Sequence, residues 1–157
     1  MNQPNIIYTR VDNRLVHGQV GNIWATFVNT NLLVVVDDEA ANDPIQQQLM
    51  KMTADAVGVE IRFFSVEKTI KVIHNASASQ KIFLVAKTPR IIRRLVDGDV
   101  PIRECNIGNM HFSEGKKVFH EQHVYVDQED IDDIEYLKSK GLHVFIQMTP
   151  NSASINV

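Results

Sequence analysis

Among 157 residues there is a single cysteine, Cys105, so no disulfide can form within the chain. Cys105 lies in an apolar, strand-like run, which suits a packed thiol in a reducing compartment better than a catalytic one. Long hydrophobic runs are missing as well. Leu32–Val36 and Ile82–Ala86, the longest, have five residues each, against the ~20 that a spanning helix needs. Met1 to Asn5 carry neither a basic segment nor an apolar core, so no signal peptide is expected and a cytoplasmic protein is. Positive charge is not in excess: 16 Lys and Arg stand against 19 Asp and Glu, a net charge of −3. That excludes a general basic field for nucleic acid or an anionic membrane, and any anion site must be local. No G-x-G-x-x-G or Walker sequence follows a strand, which counts against a dinucleotide or ATP enzyme. No repeat and no Pro-, Gly- or Ser-rich linker divides the chain, so residues 1–157 are expected to form one domain around one core, without help from a metal.

What is present is an alternation of apolar runs with helical patterns. Ile6–Val11, Leu32–Val36 and Glu60–Phe64 are followed by helices predicted from about Gln19, Pro44 and Val66. Lys81–Ala86 leads to a helix from Pro89, Glu104–Ile107 to an irregular region, and Val124–Val126 to a helix from about Glu129 that ends near Gly141 and feeds Leu142–Met148. Asp43-Pro44 and Thr88-Pro89 read as N-caps with first-turn prolines, Gln46 as the partner in a capping box, and Gly98 and Gly141 as glycines just past helix ends. Ser113-Glu114-Gly115-Lys116 reads as a tight turn between short strands. The fold class is α/β: a three-layer domain with a mostly parallel central sheet flanked by helices and one antiparallel strand. Ligands of such sheets bind beyond the carboxyl ends of the strands, here the loop holding His17, Asp37-Asp38, Ser65, Lys87-Thr88 and Asn109-Met110.

The stretch Arg10-Val11-Asp12-Asn13-Arg14-Leu15-Val16-His17-Gly18-Gln19-Val20 joins the first strand to the first helix, whose apolar face is Val20, Ile23, Trp24, Phe27 and Val28. A helix start offers unpaired N–H groups and a positive dipole end, so it suits an anion beside the imidazole. Neutral imidazole is a good nucleophile toward phosphorus near pH 7. Phosphoryl transfer asks for in-line positioning and fixed positive groups, which Arg10, Arg14 and the amides of Gly18, Gln19 and Val20 can supply. Asp12 would orient an arginine or the imidazole. It is less convincing as a general base, because the attacking nitrogen of a histidine has no proton to lose. The plainer alternative is that His17 caps a helix and Arg10 pairs with Asp12 on the surface. Elsewhere, His120 and His123 lack the Cys or carboxylate that would complete a zinc set. Arg90, Arg93 and Arg94 share a helix face that is either solvated or used for docking. Asp127, Glu129, Asp130, Asp132 and Asp133 suit a helix start better than calcium, since the glycine of a calcium loop is missing.

The Arg10–Val20 run resembles the phosphorylation loop of the enzyme IIB component of the mannose-type sugar phosphotransferase systems. Val36-Asp37-Asp38-Glu39-Ala40-Ala41-Asn42-Asp43-Pro44, Ser65–Lys68, Lys87–Pro89, Asn106–Phe112 and Ser113–Lys116 are similar to further blocks of that family. The resemblance implies a phosphohistidine at His17, favouring Nδ1, with Arg10, Asp12 and Arg14 at matching motif positions. It implies a cytoplasmic carrier that takes phosphate from enzyme IIA and delivers it to a sugar held by the membrane components IIC and IID, with which it associates peripherally. No metal, nucleotide or other cofactor is implied, and a homo-oligomer is left open. Leu32–Asp38, Ile61–Phe64 and Asn106–Lys117 look most similar to N-acetylgalactosamine- or galactosamine-specific components, with mannose, fructose and sorbose systems as the next tier. A nonenzymatic regulator that holds an anion with the same loop is the rival from another class.

Overall fold

The computed structural model describes residues 3–157. Its strands are β1 (Asn5–Asp12), β2 (Leu32–Val36), β3 (Glu60–Phe64), β4 (Lys81–Ala86), β5 (Glu104–Asn109), β6 (Lys117–Phe119), β7 (Glu121–Val126), β8 (His143–Ile146) and β9 (Ile155–Asn156). Seven of them form one sheet in the order β3-β2-β4-β1-β5-β8-β9, parallel except where β9 runs against β8. The β2 and β4 runs are apolar at nearly every position because both of their faces are covered, as strands inside a parallel sheet require.

A π-helical segment, Gly18–Trp24, runs straight into the short helix α1 (Ala25–Val28); α2 is Pro44–Ala56, α3 Val66–Val72, α4 Pro89–Asp97 and α5 Gln128–Ser139. One face of the sheet packs Val20, Trp24, Met50 and Ala54 against Leu33, Val35, Phe83 and Phe145. The other packs Val66, Ile92, Leu95, Ile134 and Leu137 against Val34, Val36, Leu84 and Ile107. The helices that follow the neighbouring strands β1 and β4 therefore leave to opposite faces. Such a divergence, beyond the carboxyl ends of the two strands, is the place where α/β sheets bind ligands.

Several local expectations are corrected. The first helix begins as a π segment at Gly18, with an i→i+5 hydrogen bond from Ala25 N–H to Val20 C=O, and its buried residues Val20 and Trp24 pack on the sheet. The chain reverses at His120, φ +66°, to pair β6 with β7, and the Ser113–Lys116 turn only leads into that hairpin. The final segment supplies β9, which pairs antiparallel with β8. Gly98 has φ −88° and the left-handed residue is Asp99; Gly98 is needed for space, since a Cβ would stand 2.6 Å from the Ile70 side chain of α3. Gly141 does take the left-handed conformation, φ +89°. Asp43 caps α2 through Ile45 and Gln46 N–H, but the Gln46 amide returns to the Asp43 carboxylate instead of its N–H. The complete capping box belongs to Asp127 and Asp130 at α5.

The arginines of α4 are likewise not a free face. Arg90 Nε and Arg93 Nη1 donate to the buried Asp133 of α5 at 3.0 and 3.2 Å, and the Arg93 guanidinium lies 3.8 Å over the Tyr136 ring. This locks α4 to α5; Arg90 stays half exposed while paired, and Arg94 is the exposed one of the three that makes no such pair among the described residues. Asp133→Ala should therefore lower the unfolding free energy by about 1–3 kcal/mol. Arg94→Ala should change it by less than about 0.5 kcal/mol, both read by urea titration.

Candidate functional site

Asp12, the last residue of β1, is fully buried and sits opposite Asn109 of β5. A turn closed by Leu15 N–H to Asp12 C=O at 2.9 Å follows it. Leu15 holds φ +58° while its side chain is buried in the core; the left-handed backbone costs ~1–2 kcal/mol, which burying a leucine offsets. The reversal brings Arg14 back over Asp12. Arg14 donates from its backbone N–H (3.0 Å) and Nε (3.1 Å) to Asp12 Oδ1 and from Nη2 (3.1 Å) to Oδ2. Asn13 ties the same turn to Asn109 by its backbone N–H and by its side chain.

His17 stands at the N-cap of the π segment, with Nε2 3.1 Å from Asp12 Oδ2. An ionised carboxylate only accepts, so Nε2 carries the proton. The tautomer assigned by this network leaves the lone pair on Nδ1, which faces the Gln19 N–H at 3.4 Å. The imidazole is 22% exposed and the Arg14 side chain 42%, so both reach solvent, whereas Arg10 is at 0%. Arg14 Nη2 also donates to Gln19 Oε1 at 3.3 Å, which leaves its guanidinium beside the helix start. Gly18 opens the segment with no neighbour in its Cβ direction, and Val20 turns its side chain into the core.

Arg10 lies behind Asp12 instead of beside it at the surface. Its Nη1 donates to Gln147 C=O at 2.9 Å and its Nη2 to Met148 C=O at 3.2 Å and Asp12 Oδ2 at 3.4 Å. Burial lowers the Arg10 pKa, and the charge of Asp12 works against that. Burial alone would raise the Asp12 carboxyl, but hydrogen bonds from His17 and Arg14 and the charge of Arg10 outweigh it and hold the group at about 2. Two guanidinium charges against one carboxylate leave the loop net positive around the partly exposed imidazole.

The other strand ends mostly serve their own loops. Asp37 accepts from Ala40 N–H and pairs with Lys87 at 3.6 Å. Asp38 and Ser65 bind amides of α3, and Thr88 caps α4. Of these ends, Asn109 is the one hydrogen-bonded to the His17 loop. His120 packs on Phe119, and the ring of His123 is partly buried. Among the described residues no group of three or more His, Cys, Asp or Glu is placed to hold a metal. Nor, among them, is any helix long and apolar enough to cross a membrane. Sequence reasoning missed Trp24, whose Nε1 donates to Met148 C=O at 2.9 Å, and the Gln147 and Met148 carbonyls. It also missed why residue 108 is glycine: a Cβ there would lie 2.0 Å from Arg10 Cζ.

The chain matches the family of PTS system sorbose subfamily IIB components over residues 6–157. It is 55% identical over 150 residues to the N-acetylgalactosamine-specific phosphotransferase enzyme IIB component 1 of Escherichia coli K12, covering 96% of this chain and 94% of that one. It is 34% identical over 139 residues to the mannose-specific EIIAB component of the same organism, covering 88% of this chain but 42% of that longer protein. The crystal structure of the Escherichia coli N-acetylgalactosamine-specific IIB component 1 superimposes with a TM-score of 0.94 at 52% identity, covering 98% and 99% of the two chains. The chain belongs to the sorbose-subfamily IIB components of the phosphotransferase systems, a family of phosphotransferases.

The Asp12 network has a pH signature. Because the folded carboxyl lies at about 2 against an ordinary 3.8, its contribution is complete above that ordinary value and lost as the pH falls toward 2. It amounts to about 2 kcal/mol. The difference in unfolding free energy between wild type and Asp12→Asn should shrink by about that amount from pH 6 to pH 2, measured by denaturant titration at each pH.

Proposed function

We propose that the chain, as a single IIB domain spanning residues 1–157, carries phosphate on His17 from enzyme IIA to a sugar in a sugar phosphotransferase system. The observation that carries this reading is the orientation of the His17 imidazole: Asp12 holds Nε2–H, and the unprotonated Nδ1 lies at a helix start beside Arg14, engaged only by a long 3.4 Å hydrogen bond from Gln19 N–H. In the forward step Nδ1 attacks the phosphorus of a phosphohistidine on enzyme IIA. The new N–P bond forms as the donor N–P bond breaks, and the donor imidazole, protonated on its other nitrogen, leaves neutral with the electron pair. In the second step a sugar hydroxyl attacks the same phosphorus, the Nδ1–P bond breaks with its electron pair returning to Nδ1, and the hydroxyl proton passes to solvent, which restores neutral His17 with Nε2–H.

Each residue has a distinct task. Arg14 places a guanidinium on the transferring oxygens, joined by the amides of Gly18, Gln19 and Val20. Asp12 stabilises the positive charge that builds on the ring as Nδ1 bonds phosphorus. Arg10 acts through Asp12 from behind. The acceptor is a sugar presented by IIC and IID, to which the protein binds from the cytoplasmic side. N-acetylgalactosamine is the proposed sugar, supported by 55% identity to a component named for it against 34% to one named for mannose. The mannose-named relative unites IIA and IIB in its name, which supports IIA as the donor.

Incubation with phosphoenolpyruvate and the upstream phosphotransferase proteins should give an acid-labile, base-stable phosphate, and His17→Ala should abolish it. Labelling that persists in His17→Ala contradicts the assignment. Arg14→Lys keeps charge but loses the planar pair of donors, so single-turnover transfer should slow by on the order of 100- to 1000-fold while the fold is kept. With membranes bearing IIC and IID, N-acetylgalactosamine should discharge the phosphoprotein faster than mannose, fructose or sorbose. Faster discharge by mannose rejects the sugar and leaves His17 in place.

A further inference from the structure

The turn after β8 is polar, yet it is fixed from every side. The Gln147 side chain donates to Pro150 C=O at 3.3 Å and Ser152 C=O at 3.0 Å, and the Thr149 and Ser152 hydroxyls meet at 2.7 Å. From below, Asn106 on β5 accepts from Gln147 N–H and donates to Gln147 C=O, both at 3.0 Å, while the same Asn106 amide donates to the Tyr8 hydroxyl. A surface turn does not need this many constraints for stability alone. What they fix is the direction of two carbonyls.

Those carbonyls serve both walls of the site. Gln147 C=O accepts from Arg10 Nη1 as well as Asn106, and Met148 C=O accepts from Arg10 Nη2 as well as Trp24 Nε1. A carbonyl oxygen has two lone pairs, so each is fully used. Of the Arg10 hydrogen bonds, the one to Asp12 is the longest, 3.4 Å against 2.9 and 3.2 Å to the turn. The turn, more than Asp12, therefore sets where the buried guanidinium sits. Trp24 closes the π segment that His17 opens, and its ring lies 5.2 Å from Arg10 Cζ. One oxygen, Met148 C=O, thus keys the strand end that carries Asp12 to the helix that carries His17 and the Gln19 amide.

We infer that the C-terminal turn 147–152 is a positioning element for phosphoryl transfer, and that Gln147 and Trp24 are positioning residues which hold the His17 imidazole as its Nε2–H tautomer by fixing Arg10 behind Asp12. The inference rests on His17 as the phosphate carrier, but the decisive measurement does not use transfer.

The test is the 15N spectrum of the His17 ring in the unphosphorylated full chain, which reports the tautomer directly. Two variants are compared with wild type. Gln147→Leu removes both side-chain ties across the turn; Trp24→Phe keeps an aromatic ring and removes the donor alone, so it reads the claim even where Gln147→Leu loses the fold. Wild type should show Nε2–H in excess. Both folded variants should shift population toward Nδ1–H, and single-turnover transfer should slow by about fivefold, the effect of losing one net hydrogen bond. The single indole N–H of the chain should exchange faster with solvent in Gln147→Leu. An unchanged tautomer in a folded variant overturns the inference, and so does slowed transfer without a tautomer change, which would place the defect in docking. Wild-type protein that takes up no phosphate while its tautomer responds as stated would instead remove the carrier reading and keep the positioning role.

Discussion

A buried carboxylate is the constraint on which the rest of the site depends. Asp12 has no exposed surface, and leaving it ionised there requires donors from every direction. The chain supplies them from its own next five residues, Arg14 and His17, and from one residue before it, Arg10. Satisfying the carboxylate fixes the tautomer of the imidazole as a by-product, so the burial of Asp12 and the reactivity proposed for His17 are one arrangement. The fold contributes by placing the end of β1 at the point where flanking helices diverge, so that Nε2 faces the buried Asp12 while Nδ1 faces the helix start at Gln19.

The division of labour between the arginines follows from burial. Arg14 is partly exposed and remains able to meet an incoming phosphate. Arg10 is enclosed by Trp24, Gly108 and the carbonyls of Gln147 and Met148. A guanidinium in such a place needs neutral acceptors as well as an anion, because it presents five N–H donors in a fixed fork. The turn that follows β8 provides those acceptors through two backbone carbonyls, and so it becomes part of the site's foundation.

How much of this was legible in the sequence depended on the range of the interaction. The apolar runs at Leu32–Val36 and Ile82–Ala86, the caps at Asp43, Thr88 and Gly141, and the compact loop from Arg10 to Val20 are written in adjacent residues, and they were read. The π turn was not, since Val20, Ile23, Trp24 and Phe27 satisfy an α-helical spacing as well. Gly98 read as a helix-end glycine and Gly108 carried no reading of its own, yet each is glycine because a side chain from elsewhere, Ile70 or Arg10, occupies the space. The Arg90 and Arg93 face looked solvated because its partner, Asp133, is about forty positions away and resembled a helix-start charge. Backbone carbonyls such as those of Gln147 and Met148 carry no signature in residue types at all.

The central claim is that Asp12 commits His17 to reaction at one nitrogen. The most direct measurement is the 15N and 31P spectrum of the wild-type chain, with labelled histidine, after phosphorylation by phosphoenolpyruvate and the upstream proteins. A single phosphoryl group coupled to Nδ1 of His17, with Nε2 still protonated, is the predicted result. Phosphate on Nε2, or on another histidine, would contradict the account.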